Sequence, residues 1–372
     1  MSNQPAVLGP DGVARPYIGG QALMEGVMMR SPHAFSAVVR RRDGSLVVRE
    51  RPMADLRRGK AAWPLVRGVA ALVEALRLGR QALNFSLEIF EQDMIEQEAE
   101  QERAAKAEAL VKQAPLSAFV LSFAMPLLHL STSPPELPQA AAPPAKSAGR
   151  GGVFLTVFSI LLPLAIYVAL PQAIAEGASS VFQLGLDVRS PLFQLITATA
   201  KVALLMGIFY VLRYSPELYR WLQCHGAEHK AIHTYEAGQA LSVENARRFP
   251  TLHPRCGTTF VVMVALVSIA VFSCLGPLLP QLGLGRLADN VLFFLLKLPF
   301  LPVIVGFTFE LQRLFAKYCT SGPLRALLWP GFLVQKITTI EPTDEQLEVA
   351  LAALLMTLRV EQGETARQQD AS

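Results

Sequence analysis

Apolar residues gather in four long runs in the second half of the chain. Val153–Ala175, Pro191–Leu212, Phe260–Gly276 with its flanks, and Leu287–Phe309 are dominated by Leu, Val, Ile and Phe. Each is long enough to cross about 30 Å of hydrocarbon as a helix of roughly 20 residues. Prolines at 163, 171, 277, 299 and 302 fall inside or beside these runs, where bundle neighbours can satisfy the freed carbonyls. A fifth run, Leu116–Leu130, is shorter and is broken by Pro126. Basic residues arbitrate its place, because Lys and Arg stay on the cytoplasmic side. Residues 1–115 carry 16 of them; the connection 213–255 and the tail after Glu310 carry more, whereas the other two connections hold only Arg189 and Arg286. Four spans bring all three basic regions to one side. The 116–130 run is therefore expected to be interfacial or re-entrant.

Outside the spans the pattern changes period. Residues 17–60 alternate as strands do, and Asp43-Gly44 between two β-branched runs predicts a hairpin. Arg40, Arg41, Arg42, Arg49 and Arg51 flank that turn, as a solvated face or as contacts to anionic lipid headgroups. From Trp63 to Phe90 the apolar positions Leu65, Val69, Leu72, Val73, Leu76, Leu83 and Leu87 recur at helical spacing, predicting an amphipathic helix. A Glu/Gln/Ala-rich solvated helix follows over 91–114. Residues 131–152 form a Pro/Ala/Ser/Gly linker. In the tail, Thr343-Asp344-Glu345-Gln346 fits a capping box, and Leu347, Leu351, Leu354, Leu355 and Leu358 form the stripe of the helix it opens.

These elements describe a mainly α, polytopic membrane protein of about four spans with a small N-terminal β-hairpin unit. The expected divisions are a cytoplasmic unit at 1–115, the apolar segment 116–130, the linker 131–152, a bundle at 153–310 with a cytoplasmic loop at 213–259, and a cytoplasmic tail at 311–372. Composition agrees: of 372 residues, 52% are hydrophobic and 17% charged, and mean hydropathy is +0.34, against about 25% charged in soluble domains. The opening residues lack an apolar stretch, so no signal peptide is expected. Net charge is only +4, and no aromatic platform accompanies the arginines, so membrane lipid rather than nucleic acid is the expected partner.

One loop concentrates chemistry. It runs CHGAEHKAIHTYEAGQALSVENARRFPTLHPRCGTTF and holds four of the six histidines and two of the four cysteines. If Pro216–Glu236 is helical, His225, Glu228 and His229 share one face at i, i+3 and i+4. Two histidines so spaced can chelate a divalent ion, with Glu228 as base toward its water. H-x-x-E-H also matches the inverted zinc-protease string. His253 and Cys256 in HPRC are candidates to complete the shell, and zinc suits imidazole and thiolate. Glu236, about 10 Å further along the helix than His229, fits an outer position. His233 lies at the edge of the face, and Cys224 lies off it as a packed thiol. Without a metal, the same histidines would cap helix ends and bind backbone. At membrane depth, Lys201, Lys297 and Glu310 are ionisable and by default functional or paired; the alternative is that Glu310, near a cytoplasmic end, and Lys297, if its span shifts, snorkel to the interface.

The strings Gly19-Gly20-Gln21-Ala22-Leu23-Met24-Glu25-Gly26-Val27-Met28-Met29-Arg30, His225-Gly226-Ala227-Glu228-His229-Lys230, Val243-Glu244-Asn245, His253-Pro254-Arg255-Cys256-Gly257-Thr258 and Glu341-Pro342 resemble the YqhQ-like bacterial membrane proteins, domain of unknown function 1385. The resemblance runs along nearly the whole chain. It implies a multi-span inner-membrane protein with cytoplasmic soluble parts, and metal dependence as the family's label. This chain departs from the family at Cys224, where an aromatic is usual, and at His233, where a cysteine is usual. The first string brings in Glu25, facing the metal loop or pairing with Arg30. Two functions follow as expectations: a membrane-embedded metal-dependent hydrolase, or a scaffold or assembly factor with a structural metal or none.

Overall fold

Residues 19–52 form a four-stranded antiparallel meander whose two central strands are buried almost continuously. In this computed structural model, which describes residues 6–8, 12–53, 63–113, 166, 169–280, 283, 286–319 and 322–370, β1 (Ala6–Leu8) pairs with β2 (Ala14–Pro16), and β3 (Gly19–Leu23), β4 (Gly26–Arg30), β5 (Ala34–Arg40) and β6 (Leu46–Pro52) follow in sheet order. The hairpin at Asp43-Gly44 joins β5 to β6, with Arg40 opposite Leu46. A further hairpin joins β3 to β4, turning at Met24-Glu25, where Glu25 adopts φ 52°. Apolar side chains leave both faces of the sheet. Ile18, Ala22, Val27, Met29 and Val38 pack on one side. Leu23, Met28, Phe35, Ala37 and Val39 pack on the other.

Helices cover both faces. α1 (Val66–Gln113) sets Leu78, Ala82 and Phe85 against the second face. It is one continuous helix, and its inward face differs from the expected one: Leu65, Val73, Leu76 and Leu87 are exposed, while Ala71, Leu78, Ala82 and Phe85 are buried. α10 (Asp344–Asp370) lies across the first face with Leu347, Leu351 and Leu354; Leu355 points outward. The capping box forms, as Thr343 N–H donates to Gln346 Oε1 at 2.9 Å and Gln346 N–H to Thr343 Oγ1 at 3.4 Å. Glu361 pins the helix to the sheet by accepting from Ser31 Oγ (2.6 Å) and His33 N–H (2.8 Å).

The remaining helices are α2 (169–181), α3 (Pro191–Leu212), α4 (Pro216–Glu236), α5 (Val243–Arg247), α6 (Gly257–Leu275), α7 (Arg286–Lys297), α8 (Leu301–Tyr318) and α9 (Trp329–Thr338). Three helical stretches among the described residues are long and apolar enough to cross a membrane: Pro191–Leu212, Gly257–Leu278 and Val291–Tyr318. The first matches its expected span. The last reaches nine residues beyond the expected end at Phe309, because α8 continues to Tyr318. The expected span at 153–175 lies largely outside the described residues, as do the 116–130 segment and the 131–152 linker. Several basic residues of the hairpin have partners within the fold. Arg40 binds Glu348 at 2.7 Å, Arg49 lies over the Phe85 ring, and Arg51 donates to Gln81 at 2.6 Å.

Candidate metal centre

α4 runs over Pro216–Glu236, and its second half is buried nearly all round. A strand-like segment at Ile340 lies against one side, donating to Leu222 O at 3.1 Å. A Cβ at Gly226 would strike Ile340 O, so only glycine permits this approach. On another side β3 crosses so closely that a Cβ at Gly20 would lie 2.7 Å from Glu228 Cγ and Oε1. The glycines of the first family string thus have a packing role at Gly20.

The helix presents His225, Glu228 and His229 together. His225 Nδ1–H donates to Thr338 O at 2.7 Å, and His229 Nδ1–H donates to Thr251 O. Each Nδ1 is thereby engaged by a carbonyl, so Nε2 is the nitrogen each ring would offer a metal in exchange for its proton, the arrangement usual for metal-binding histidines. Cys256 is the N-cap residue of α6, and its Sγ lies 3.2 Å from His225 Nε2. Donor atoms of His225, His229 and Cys256 all lie within 4.8 Å of one another. Zinc bonds of about 2.0–2.3 Å in tetrahedral geometry require donors roughly 3.3–3.8 Å apart, so the three residues fit such an ion with little movement.

Electrostatics favour the ionised sulfur. Burial opposes ionisation of Cys256, but His225 and His229, with hydrogen bonds from both, hold the thiol well below its ordinary range. The helix N-terminus acts in the same direction. His225 responds in the opposite sense: burial works against its charge, the Cys256 thiolate outweighs burial, and its value rises to about 9. Burial pushes the Glu228 carboxyl up, and its Oε2 is buried without a hydrogen-bond partner. A carboxyl raised toward neutrality can take and return a proton. Cys224, pushed to about 12 by burial, is a packed thiol in the core.

His253 sits elsewhere than the spacing suggested. Instead of completing the first group it joins His233 and Glu236 in a second one. Its Nδ1 accepts from Arg255 N–H at 3.3 Å, which turns Nε2 toward Glu236 at 3.6 Å. Burial, then His229, holds His253 at about 3. His233 Nε2–H donates to Leu252 O at 2.9 Å. Glu236 is bound by Arg255, whose guanidinium also lies over the Tyr17 ring at 4.9 Å. The two groups adjoin, with His229 and His253 ring centroids 5.5 Å apart.

Other expected participants have different partners. Glu25 pairs with Arg220 through two contacts of 2.6 Å, not with Arg30, because its turn carries it to the flank of α4. Arg30 binds Glu74 of α1. Glu310 binds Arg67 with both oxygens at 2.5 Å, so it serves an ion pair on the helix Leu301–Tyr318. Three supporting residues escaped the sequence. Gln335 is fully buried and clamps the HPRC segment, accepting from His253 N–H at 2.7 Å and donating to His253 O at 2.8 Å. Lys230 is buried, donating to Arg247 O at 3.0 Å and pairing with Glu341. Thr338 supplies a backbone carbonyl, which no side-chain pattern reveals.

A cavity of about 450 Å³ opens over the first group. His225, Glu228, His229 and Cys256 belong to its polar lining, with Arg30 and Arg255 as cationic groups, and Phe209, Phe260 and Phe309 from the candidate spans contribute apolar walls.

The family model described as "Protein of unknown function (DUF1385)" matches residues 63–360. The chain belongs to this family. A relative, "Uncharacterized protein YqhQ" of Bacillus subtilis (strain 168), is 31% identical over 349 residues, covering 93% of each chain. No solved structure matches. All residues of both His-containing groups fall inside the family match, whereas Gly20 and Glu25 precede it.

Proposed function

We propose that this DUF1385 protein is a multi-pass inner-membrane protein that holds one zinc ion through His225, His229 and Cys256 and acts as a hydrolase at the cytoplasmic face. The observation that carries the reading is the convergence of two Nε2 atoms and one thiolate, with both Nδ1 atoms tied to backbone carbonyls. Three protein ligands beside a cavity suit a catalytic site with an open position better than a closed structural one. A zinc ion there supplies Lewis acidity to a water molecule and to a substrate oxygen. Glu228, buried beside these ligands in the same cavity, would be the group that holds and returns a proton. The aromatic walls from the spans favour an amphiphilic substrate whose apolar part rests against Phe209, Phe260 and Phe309. The basic 213–255 connection and tail support cytoplasmic termini and four spans, the first at 153–175.

Elemental analysis of the protein purified from membranes tests the reading. One zinc per chain is expected, falling below about a tenth of that in the His225→Ala/His229→Ala variant. Equal metal in both proteins would remove the site. Complementation of a deletion strain separates hydrolase from scaffold. Glu228→Gln, which retains the ligands, should fail to complement; full complementation by it alongside failure of the double variant would make the metal structural.

A further inference from the structure

Lys201 and Lys297 are placed at membrane depth, and the metal centre uses neither. Lys201 stands midway along the candidate span Pro191–Leu212, and Lys297 lies in the first third of Val291–Tyr318. Both line a second cavity of about 250 Å³ between α3, α6 and the α7–α8 stretch. Its lining contains no carboxylate, and among the described residues neither lysine has an ion-pair partner. Lys297 Nζ donates to Gln194 Oε1 at 2.9 Å and stands 4.1 Å from the Phe293 ring centroid. Those contacts hold the ammonium in place without neutralising it. Thr197, only 6% exposed, lines the same cavity, and its Oγ1 has no hydrogen-bond partner. Two ammonium groups and an unused hydroxyl therefore meet in one space, where Gln194 Oε1 is already engaged by Lys297.

Ammonium groups in a membrane interior are costly unless they face a counter-charge or lie along a ligand path. We infer that the cavity lined by Lys201, Lys297 and Thr197 binds the oxyanion head of an amphiphile, a phosphate or carboxylate group carried on an apolar tail. The cavity volume accommodates a head group. Beyond Lys201, Lys297, Thr197, Gln172, Gln194 and Ser268 the lining is apolar, and exposed Ile208, one helical turn beyond the lining residue Leu205 on α3, extends the apolar surface along which a tail would lie. The site is separate from the His/Cys centre and does not depend on it.

Native mass spectrometry of the full chain in an uncharged detergent tests this, with phosphatidylglycerol, oleate, diacylglycerol and inorganic phosphate as separate probes. One phosphatidylglycerol or one oleate per chain is expected. Retention of the first alone assigns a phosphodiester, and of the second alone a carboxylate. Lys201→Gln/Lys297→Gln should weaken retention by at least about tenfold, the scale of one lost charge-assisted hydrogen bond. Lys201→Arg/Lys297→Arg keeps both charges and should retain the amphiphile, which separates loss of charge from misfolding. Undiminished binding in the glutamine variant, equal retention of diacylglycerol, which has the tail without an oxyanion, or inorganic phosphate binding as tightly as the amphiphiles would overturn the inference.

Discussion

Replacing Gln335 with methionine should loosen the segment that delivers Cys256. The side-chain amide holds three groups: His253 N–H at 2.7 Å, His253 O at 2.8 Å and Thr259 Oγ1 at 2.6 Å. Methionine matches the volume, so no cavity forms, but every one of these bonds is lost. The hydroxyl of Thr259 can rotate, whereas the two backbone groups of His253 cannot find water at 3% exposure. An orphaned buried polar group costs about 1–3 kcal/mol. Two of them place the local loss near 3 kcal/mol, because the carbonyl is penalised at the low end. Local opening of residues 249–259 should then be about a hundredfold more frequent. Amide hydrogen exchange followed by mass spectrometry reads this directly, and a peptide covering 347–358 in α10 separates local opening from a general loss of stability. Exchange in 249–259 changing by less than about threefold would refute the claim that Gln335 clamps the segment.

Gly226→Ala should cost about 1–3 kcal/mol, because the added methyl meets Ile340 O; an unshifted denaturation midpoint would mean that this approach is looser. Thr343→Ala removes the reciprocal cap of α10 and should lower stability by about 1 kcal/mol, with faster exchange confined to the first turn if the cap acts locally. Acid should destabilise the metal-free protein. Burial holds His233 and His253 neutral, each at about 3, while the unfolded chain protonates them near pH 6.5. The contribution of these two groups is therefore complete above about pH 6.5 and falls as pH descends toward 3, by up to roughly 1.4 kcal/mol per pH unit for each group. His233→Gln/His253→Gln should flatten that dependence, and an identical pH profile in the variant would contradict it.

Local physics was legible from residue order. Apolar run length marked the candidate spans at 191–212 and around 260–276, and turn chemistry marked the hairpin at Asp43-Gly44. The Thr343/Gln346 cap also rests on neighbours three residues apart. Spacing of four residues placed His225 and His229 on one face, since an α-helix repeats every 3.6 residues. The inward face of α1 was less legible: its large apolar residues suggested one stripe, but contact with the sheet is made partly by Ala82, a small residue that carries little hydrophobic signal.

The partner that joins the two histidines was decided by the tertiary structure. His253 and Cys256 are three residues apart and both suit a metal, so sequence could not rank them. Their assignment follows from the Gln335 clamp, the Arg255 amide that turns the His253 ring, and the start of α6 that carries Cys256 toward His225. Glu25 likewise met Arg220 across 195 residues. Contacts of that range depend on how separate elements dock, through backbone groups common to every residue and side chains distant in sequence. Periodicity along one helix fixes which side chains share a face, but what faces them belongs to the packed chain.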